Sequence, residues 1–203
     1  MRERGRGAHR LNISLRIAAR VRELRLAQGL TLDALEAQCE VSRSMLSLIE
    51  RGESSATAVV LERIAVGLDV PLASLFDNPA APENPLSRYE DQVPWRDPAS
   101  GYIRRNVSPA IRSSPFKIVE VVLPANAKIA YESGARVAPL DQQVWVHEGD
   151  LQISLDKLTY RLRPGDCLAM QVNGPISFSN RSKKPTRYAV VIAIERARVA
   201  SFR

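Results

Sequence analysis

The chain has 203 residues, 29 Lys and Arg against 22 Asp and Glu, a net charge of +7 and 45% apolar residues. Those proportions fit one large or two small folded domains and exclude a disordered or collagen-like chain. No apolar run approaches the roughly 20 residues that cross a bilayer, and the start MRERGRGAHR lacks an apolar signal core, which predicts a cytoplasmic protein.

Charge is unevenly placed. The first 25 residues hold eight arginines against Glu3 and Glu23, so a basic arm that includes Arg4, Arg6 and Arg10 precedes a locally acidic stretch. From Ile13 to Phe76 the apolar spacing is helical. Ile13, Ile17, Val21 and Leu24 form one stripe stopped by Gly29; Leu32, Leu35 and Cys39 follow an N-cap at Thr31. Leu46 and Ile49 follow an N-cap at Ser42, with Val41 and Leu46 placed as a hydrophobic staple. Leu61, Ile64, Ala65 and Leu68 mark a fourth helix after Thr57, and Pro71 opens a short fifth with Leu72, Leu75 and Phe76. Five short helices predict an all-α domain over 11–77.

Residues 78–99 contain Pro79, Pro82, Pro85, Pro94 and Pro98 and lack a sustained period, which predicts a linker, or an arm that packs on something through Trp95. Beyond Gly101 the pattern changes to strand-length runs: 116–123, 144–147, 151–155, 158–162, 167–170, 176–180 and 188–194. Close-spaced strands without intervening helices predict an antiparallel sandwich or barrel over 100–198, giving an α + β chain of two domains.

Two cysteines, Cys39 and Cys167, lie far apart and argue against a disulfide framework, and they are too few for a cysteine-based zinc site. His9 and His147 are the only histidines, which limits histidine-dependent metal chemistry.

The segment Gly29–Glu53, GLTLDALEAQCEVSRSMLSLIERGE, resembles the helix-turn-helix of phage-repressor-like, Xre-type DNA-binding domains. The resemblance extends from about Leu11 to Phe76 and implies that helix 3 enters the major groove while helix 2 crosses the backbone. With Leu46 and Ile49 facing the core, Arg43, Ser44 and Ser47 fall on the opposite face, where Arg43 can donate twice to a guanine edge. Thr31 and Ser42 at helix starts and the cation Arg51 complete the candidate DNA-binding set. Two positions depart from the pattern. Leu32 stands where a glutamine is common, and Glu40 stands where the turn commonly has glycine, at a cost of roughly 1–2 kcal/mol if it is left-handed.

Val146-His147-Glu148-Gly149-Asp150, Pro164-Gly165-Asp166 and Pro175-Ile176 with Asn180 resemble the motifs of the cupin, a jelly-roll β-barrel. Many cupins hold a metal through His and Glu, but here the glutamate position is Gln142. The histidine positions fall on Ala135 and Val137, or on Arg136 and Ala138, and on Ile176, so neither a metal nor another cofactor is expected. Strand parity turns His147 outward with Trp145 and turns Gln142, Val144, Ile176, Phe178 and Asn180 inward. Together with Tyr131, Arg136 and Met170 they form a candidate effector pocket, whose arginine suggests an anionic ligand. The resemblances imply a non-enzymatic transcriptional regulator that binds double-stranded DNA as a homodimer, with a metal-free barrel sensing a small molecule and no membrane role. The alternatives are a metal-dependent, epoxidase-like cupin enzyme with a helix-turn-helix domain, or a DNA-binding protein whose barrel only dimerises.

Overall fold

Local sequence chemistry sets each helix end in the N-terminal half. A computed structural model describes residues 12–78, 82–111, 113–132 and 139–194. Helix α1 (Asn12–Ala27) buries Ile13, Ile17 and Val21. It stops at Gly29, whose φ of 67° lets the Leu30 amide donate to Arg25 O and the Gly29 amide to Leu26 O, a Schellman closure. Helix α2 (Leu32–Cys39) is capped by Thr31, whose hydroxyl accepts from the Ala34 amide at 3.1 Å. Glu40 ends α2 in the left-handed region (φ 55°, ψ 30°), as its place in the turn requires. Helix α3 (Arg43–Glu50) starts at Ser42, which accepts from the Met45 amide, and the staple residues Val41 and Leu46 are both buried. Helix α4 (Ala58–Gly67) is capped by Thr57 and packs so closely on α2 that a Cβ on Gly67 would stand 2.6 Å from that of Cys39.

The expected fifth helix is instead a 3-10 turn, Leu72–Phe76. Five residues after Pro71 close bonds of the i→i+3 kind, Ser74 N to Pro71 O and Asp77 N to Ser74 O, and Asp77 is already extended. Pro79 two residues further on disfavours helical geometry at 78, so the turn has no room to become α-helical. The domain therefore has four α-helices among the described residues.

Among the described residues ten strands follow: β1 (Trp95–Arg96), β2 (Ile103–Asn106), β3 (Phe116–Leu123), β4 (Lys128–Tyr131), β5 (Leu140–Glu148), β6 (Leu151–Leu155), β7 (Leu158–Leu162), β8 (Cys167–Val172), β9 (Ile176–Ser179) and β10 (Thr186–Ala193). They build two antiparallel sheets, β1-β2-β3-β10-β5-β8 and β4-β9-β6-β7. The expected barrel is thus an open sandwich: among the described residues no ladder joins the two sheets. The chain changes sheet through turns such as Gly149-Asp150, where Gly149 has φ 74° and a Cβ would meet Pro185 O at 2.8 Å. Alternation along β3, β5 and β10 points Val119, Val121, Leu123, Val144, Val146, Tyr188, Val190 and Ile192 between the sheets.

The two halves share one continuous core. Trp95, within the proline-rich segment, is buried edge-on against Phe76 (centroids 5.4 Å) and Tyr102 (5.9 Å). Asp97 accepts from the Ala58 amide at the start of α4 (2.9 Å), Asn106 Nδ2 donates to Ala73 O (3.0 Å), and Lys117 pairs with Asp77.

Candidate nucleic-acid interface and sandwich interior

Helix α3 turns Leu46 and Ile49 into the core and leaves Ser42, Arg43 and Ser44 exposed, with Ser47 partly so. Arg43, Ser42, Ser44 and Ser47 line one cleft of about 480 Å³ together with Leu32 and Glu36 of α2. Sequence reasoning brings the α3 residues together but misses the acids opposite them. Arg43 Nε lies 3.2 Å from Asp33 Oδ1, with both side chains more than half exposed. Such a surface pair is worth about 0–1 kcal/mol, so a phosphate or a guanine edge can compete for the guanidinium.

Other hydroxyls and cations at this face already have partners. The Ser42 Oγ accepts from Met45 N and lies 3.2 Å from Ser44 Oγ. Thr31 caps α2 and keeps its own O–H proton to donate. Arg51 donates to Ser47 Oγ and forms a two-pronged pair with Glu53 (2.9 and 2.8 Å), which holds the guanidinium above its ordinary pKa and offsets its charge. Arg25, one of the eight N-terminal arginines, turns inward: it meets Glu50 at 2.6 and 2.7 Å and donates to Leu30 O at 2.8 Å. Arg4, Arg6 and Arg10 lie outside the described residues.

Between the sheets is a small void of about 80 Å³. Of the candidate pocket residues, Tyr131, Gln142, Ile176 and Phe178 line it. Val144 is fully buried but does not line it; Met170 is buried beside a groove of about 470 Å³ that also borders the outer face of the six-stranded sheet. Asn180 has a different role. Strand β9 ends at Ser179, and the Asn180 amide donates to Leu123 O, Pro124 O and Lys184 O while its oxygen accepts from Ser182, so it ties loops together. Arg136 and the histidine positions at 135–138 lie outside the described residues.

The void also takes residues that sequence reasoning missed: Tyr102 and Arg104 of β2, Tyr188 of β10, and Glu62 and Leu72 from the helical half. The Tyr102 and Tyr131 hydroxyls lie 3.4 Å apart, and burial raises the pKa of Tyr102, Tyr131 and Tyr188. Arg104 is only 5% exposed, and its guanidinium lies 4.5 Å from the Phe76 ring centroid. The short, polar run Ile103-Arg104-Arg105-Asn106 carries no apolar signal that would have announced an interior strand. Outward parity holds for Trp145 and His147, whose rings meet edge-on at 4.4 Å.

The sequence profile of the helix-turn-helix family HTH_3 matches residues 21–75. The HTH-type transcriptional regulator SutR of Escherichia coli K12 is 37% identical over 68 residues, 34% of this chain and 38% of that protein. The chain thus spans well under half of that relative. Across 92% of this chain and 99% of the other, the fold superposes on the crystal structure of an HTH_3 family transcriptional regulator from Vibrio cholerae, with a TM-score of 0.72 and 22% identity. The cupin domain of an XRE family transcriptional regulator from Enterobacter cloacae covers 47% of the chain at a TM-score of 0.43 and 20% identity. The capped α2-turn-α3 unit, its buried staple and the match over the same residues make residues 21–75 a helix-turn-helix domain of the HTH_3 type, and an antiparallel sandwich follows it in the same order as in the Vibrio fold.

Proposed function

We propose that the chain is a DNA-binding transcriptional regulator that acts as a homodimer, reading its operator with α3 and responding to a small molecule in a metal-free sandwich. In this reading residues 11–77 are the DNA-binding unit, 78–99 the connection and 100–198 the sensing and pairing unit. The observation that carries it is the face of α3: Arg43, Ser44 and Ser47 stand out on the side opposite Leu46 and Ile49, at the start of the helix that HTH proteins insert in the major groove.

Pairing is supported by the outer face of the six-stranded sheet. Trp145 is 50% exposed and Phe116 49% exposed, and both lie on that face. Exposed large aromatics of this kind are enriched at interfaces. Two copies joined there would present two α3 helices to half-sites about 34 Å apart. Effector binding is supported by the void between the sheets. Its walls are mostly apolar and carry a few polar groups, Tyr102, Arg104, Tyr131 and Gln142, the usual make-up of a small-molecule site. The metal-free reading rests on Gln142 and Ile176 at two ligand positions.

Genome-wide mapping of binding sites would supply an operator, on which purified protein and an Arg43→Ala variant are compared by fluorescence anisotropy. The variant is expected to lose about 1–3 kcal/mol of specific binding with an unchanged circular dichroism spectrum. Equal operator affinity would remove α3 from the recognition role. Light scattering of the same samples reports the dimer, and a stoichiometric metal on elemental analysis would favour the enzyme reading.

A further inference from the structure

A second, larger space lies outside the sandwich, in the cleft where α1 faces β2 and β3. It encloses about 970 Å³ and is lined by Arg16 and Arg20 from the helical half and by Arg104, Asn106 and Lys117 from the sandwich. Its charges do not balance locally. Lys117 is paired with Asp77, and Arg20 is paired with Glu23 at 2.9 Å and donates to Ser74 O. Asp91 on the same lining is exposed. Arg16 and Arg104 remain, and among the described residues neither has a carboxylate within ion-pair distance.

The polar atoms left over are specific. Arg104 Nε, Arg16 Nε and Asn106 Oδ1 are buried without a hydrogen-bond partner, and all three residues line this one cleft. Burial holds the Arg16 guanidinium below its ordinary pKa, and the nearby Asp77 carboxylate offsets this only in part. A guanidinium buried without a counter-charge is costly, and Arg104, held over Phe76 and almost fully enclosed, cannot swing out to solvent or DNA. Two unbalanced cations and one unused acceptor describe the complement of a doubly charged oxyanion that keeps a hydroxyl, because guanidinium forks suit carboxylate and phosphate oxygens.

We propose that this cleft binds a small hydroxylated dianion, a phosphate or a hydroxy-dicarboxylate, through Arg16, Arg104 and Asn106, and that the bound anion fastens α1 onto the sandwich. The site differs from the void between the sheets. Arg104 borders both spaces, whereas Arg16 and Asn106 border only the cleft. An anion here touches the helical half through Arg16 directly and through Arg104 and Phe76, so its presence biases how the DNA-reading half is held.

The test is the thermal midpoint of the full chain, without DNA, in inorganic phosphate, in malate, and in sodium chloride at matched ionic strength. The expected result is a saturable rise in midpoint with phosphate or malate beyond that in chloride; which of the two acts identifies the anion class. Arg16→Gln, at a half-buried position, is expected to weaken the apparent affinity about tenfold or more. Arg104→Met is expected to abolish the response and to raise the midpoint in chloride, since it removes an uncompensated buried charge. The proposal is overturned if neither dianion stabilises the protein beyond chloride. It is equally overturned if Arg16→Gln responds as the parent does, which would assign any stabilisation to the void between the sheets.

Discussion

Three buried phenols in the sandwich make the molecule sensitive to alkali. Tyr102, Tyr131 and Tyr188 are enclosed among Ile129, Ile176 and Phe178, and desolvation is the first cause of the raised pKa of each hydroxyl. In the unfolded chain these groups titrate near pH 10. A folded pKa above the unfolded value means that their contribution to stability is complete below about pH 10 and is lost as pH rises further, because only the unfolded chain then releases its protons. Following phenolate absorbance and circular dichroism together through an alkaline titration should show these three of the five tyrosines ionising only as the fold is lost. Tyr131→Phe should make the alkaline loss of stability less steep. Simple titration of all five phenols before unfolding would contradict their enclosure.

At the scale of elements, the ties between helices matter more than the helices' own propensities. Arg25 of α1 and Glu50 of α3 form a two-pronged pair whose side chains are only 10% and 7% exposed. Breaking such a pair by removing one partner costs about 3–5 kcal/mol, because the other charge is left buried. Arg25→Ala is therefore expected to lower the stability of the helical half by that amount in denaturant titrations. Removing an exposed arginine such as Arg22 would cost less than about 0.5 kcal/mol. The sequence shows Arg25 only as one more cation in a basic stretch; its inward turn depends on where α3 comes to lie. Other features were legible because their chemistry is local. The caps at Thr31, Ser42 and Thr57, the Gly29 stop, the left-handed Glu40 and the alternation in β3, β5 and β10 depend on neighbours within a few residues. What depended on distant partners was not legible. The requirement for a bare Gly67 comes from Cys39 on another helix, and the interior place of Arg104 comes from pairing a polar strand to β3 opposite Val121. Asn180, one residue past the end of β9, is buried as its parity predicts, but the loop carbonyls that take its side-chain amide come from distant parts of the chain.

For the whole molecule, the decisive question is whether the DNA-reading half and the sandwich fold and move as one body, and Asp97 is the residue that answers it. Its carboxylate, 3% exposed, comes from the chain just after β1, yet one oxygen accepts from the Ala58 amide, the first helical residue of α4, at 2.9 Å. The other oxygen accepts from the amide and hydroxyl of Ser100, at 2.8 and 2.5 Å. Thr57 already satisfies the Val60 amide, so α4 has one cap from its own half and a second, charged one from the other. A carboxylate at a helix start is favoured by the helix dipole as well as by the hydrogen bond. Removing it orphans the buried Ala58 amide, at about 1–3 kcal/mol, and the partly buried Ser100 amide, at about 1 kcal/mol. Asp97→Ala should therefore destabilise the protein by about 2–4 kcal/mol, with Asp97→Asn falling between because an amide oxygen can still accept from Ala58. The stronger expectation concerns cooperativity. With one core running through both halves, calorimetry should show a single transition in the parent, whereas Asp97→Ala should lower the midpoint of the helical half selectively and split the heat absorption in two. An Asp97→Ala protein that unfolds in one step at the parent's midpoint would mean that the halves are held by Phe76, Trp95 and Tyr102 alone. Any signal from the sandwich to α3 would then have to pass through that aromatic stack rather than through the start of α4.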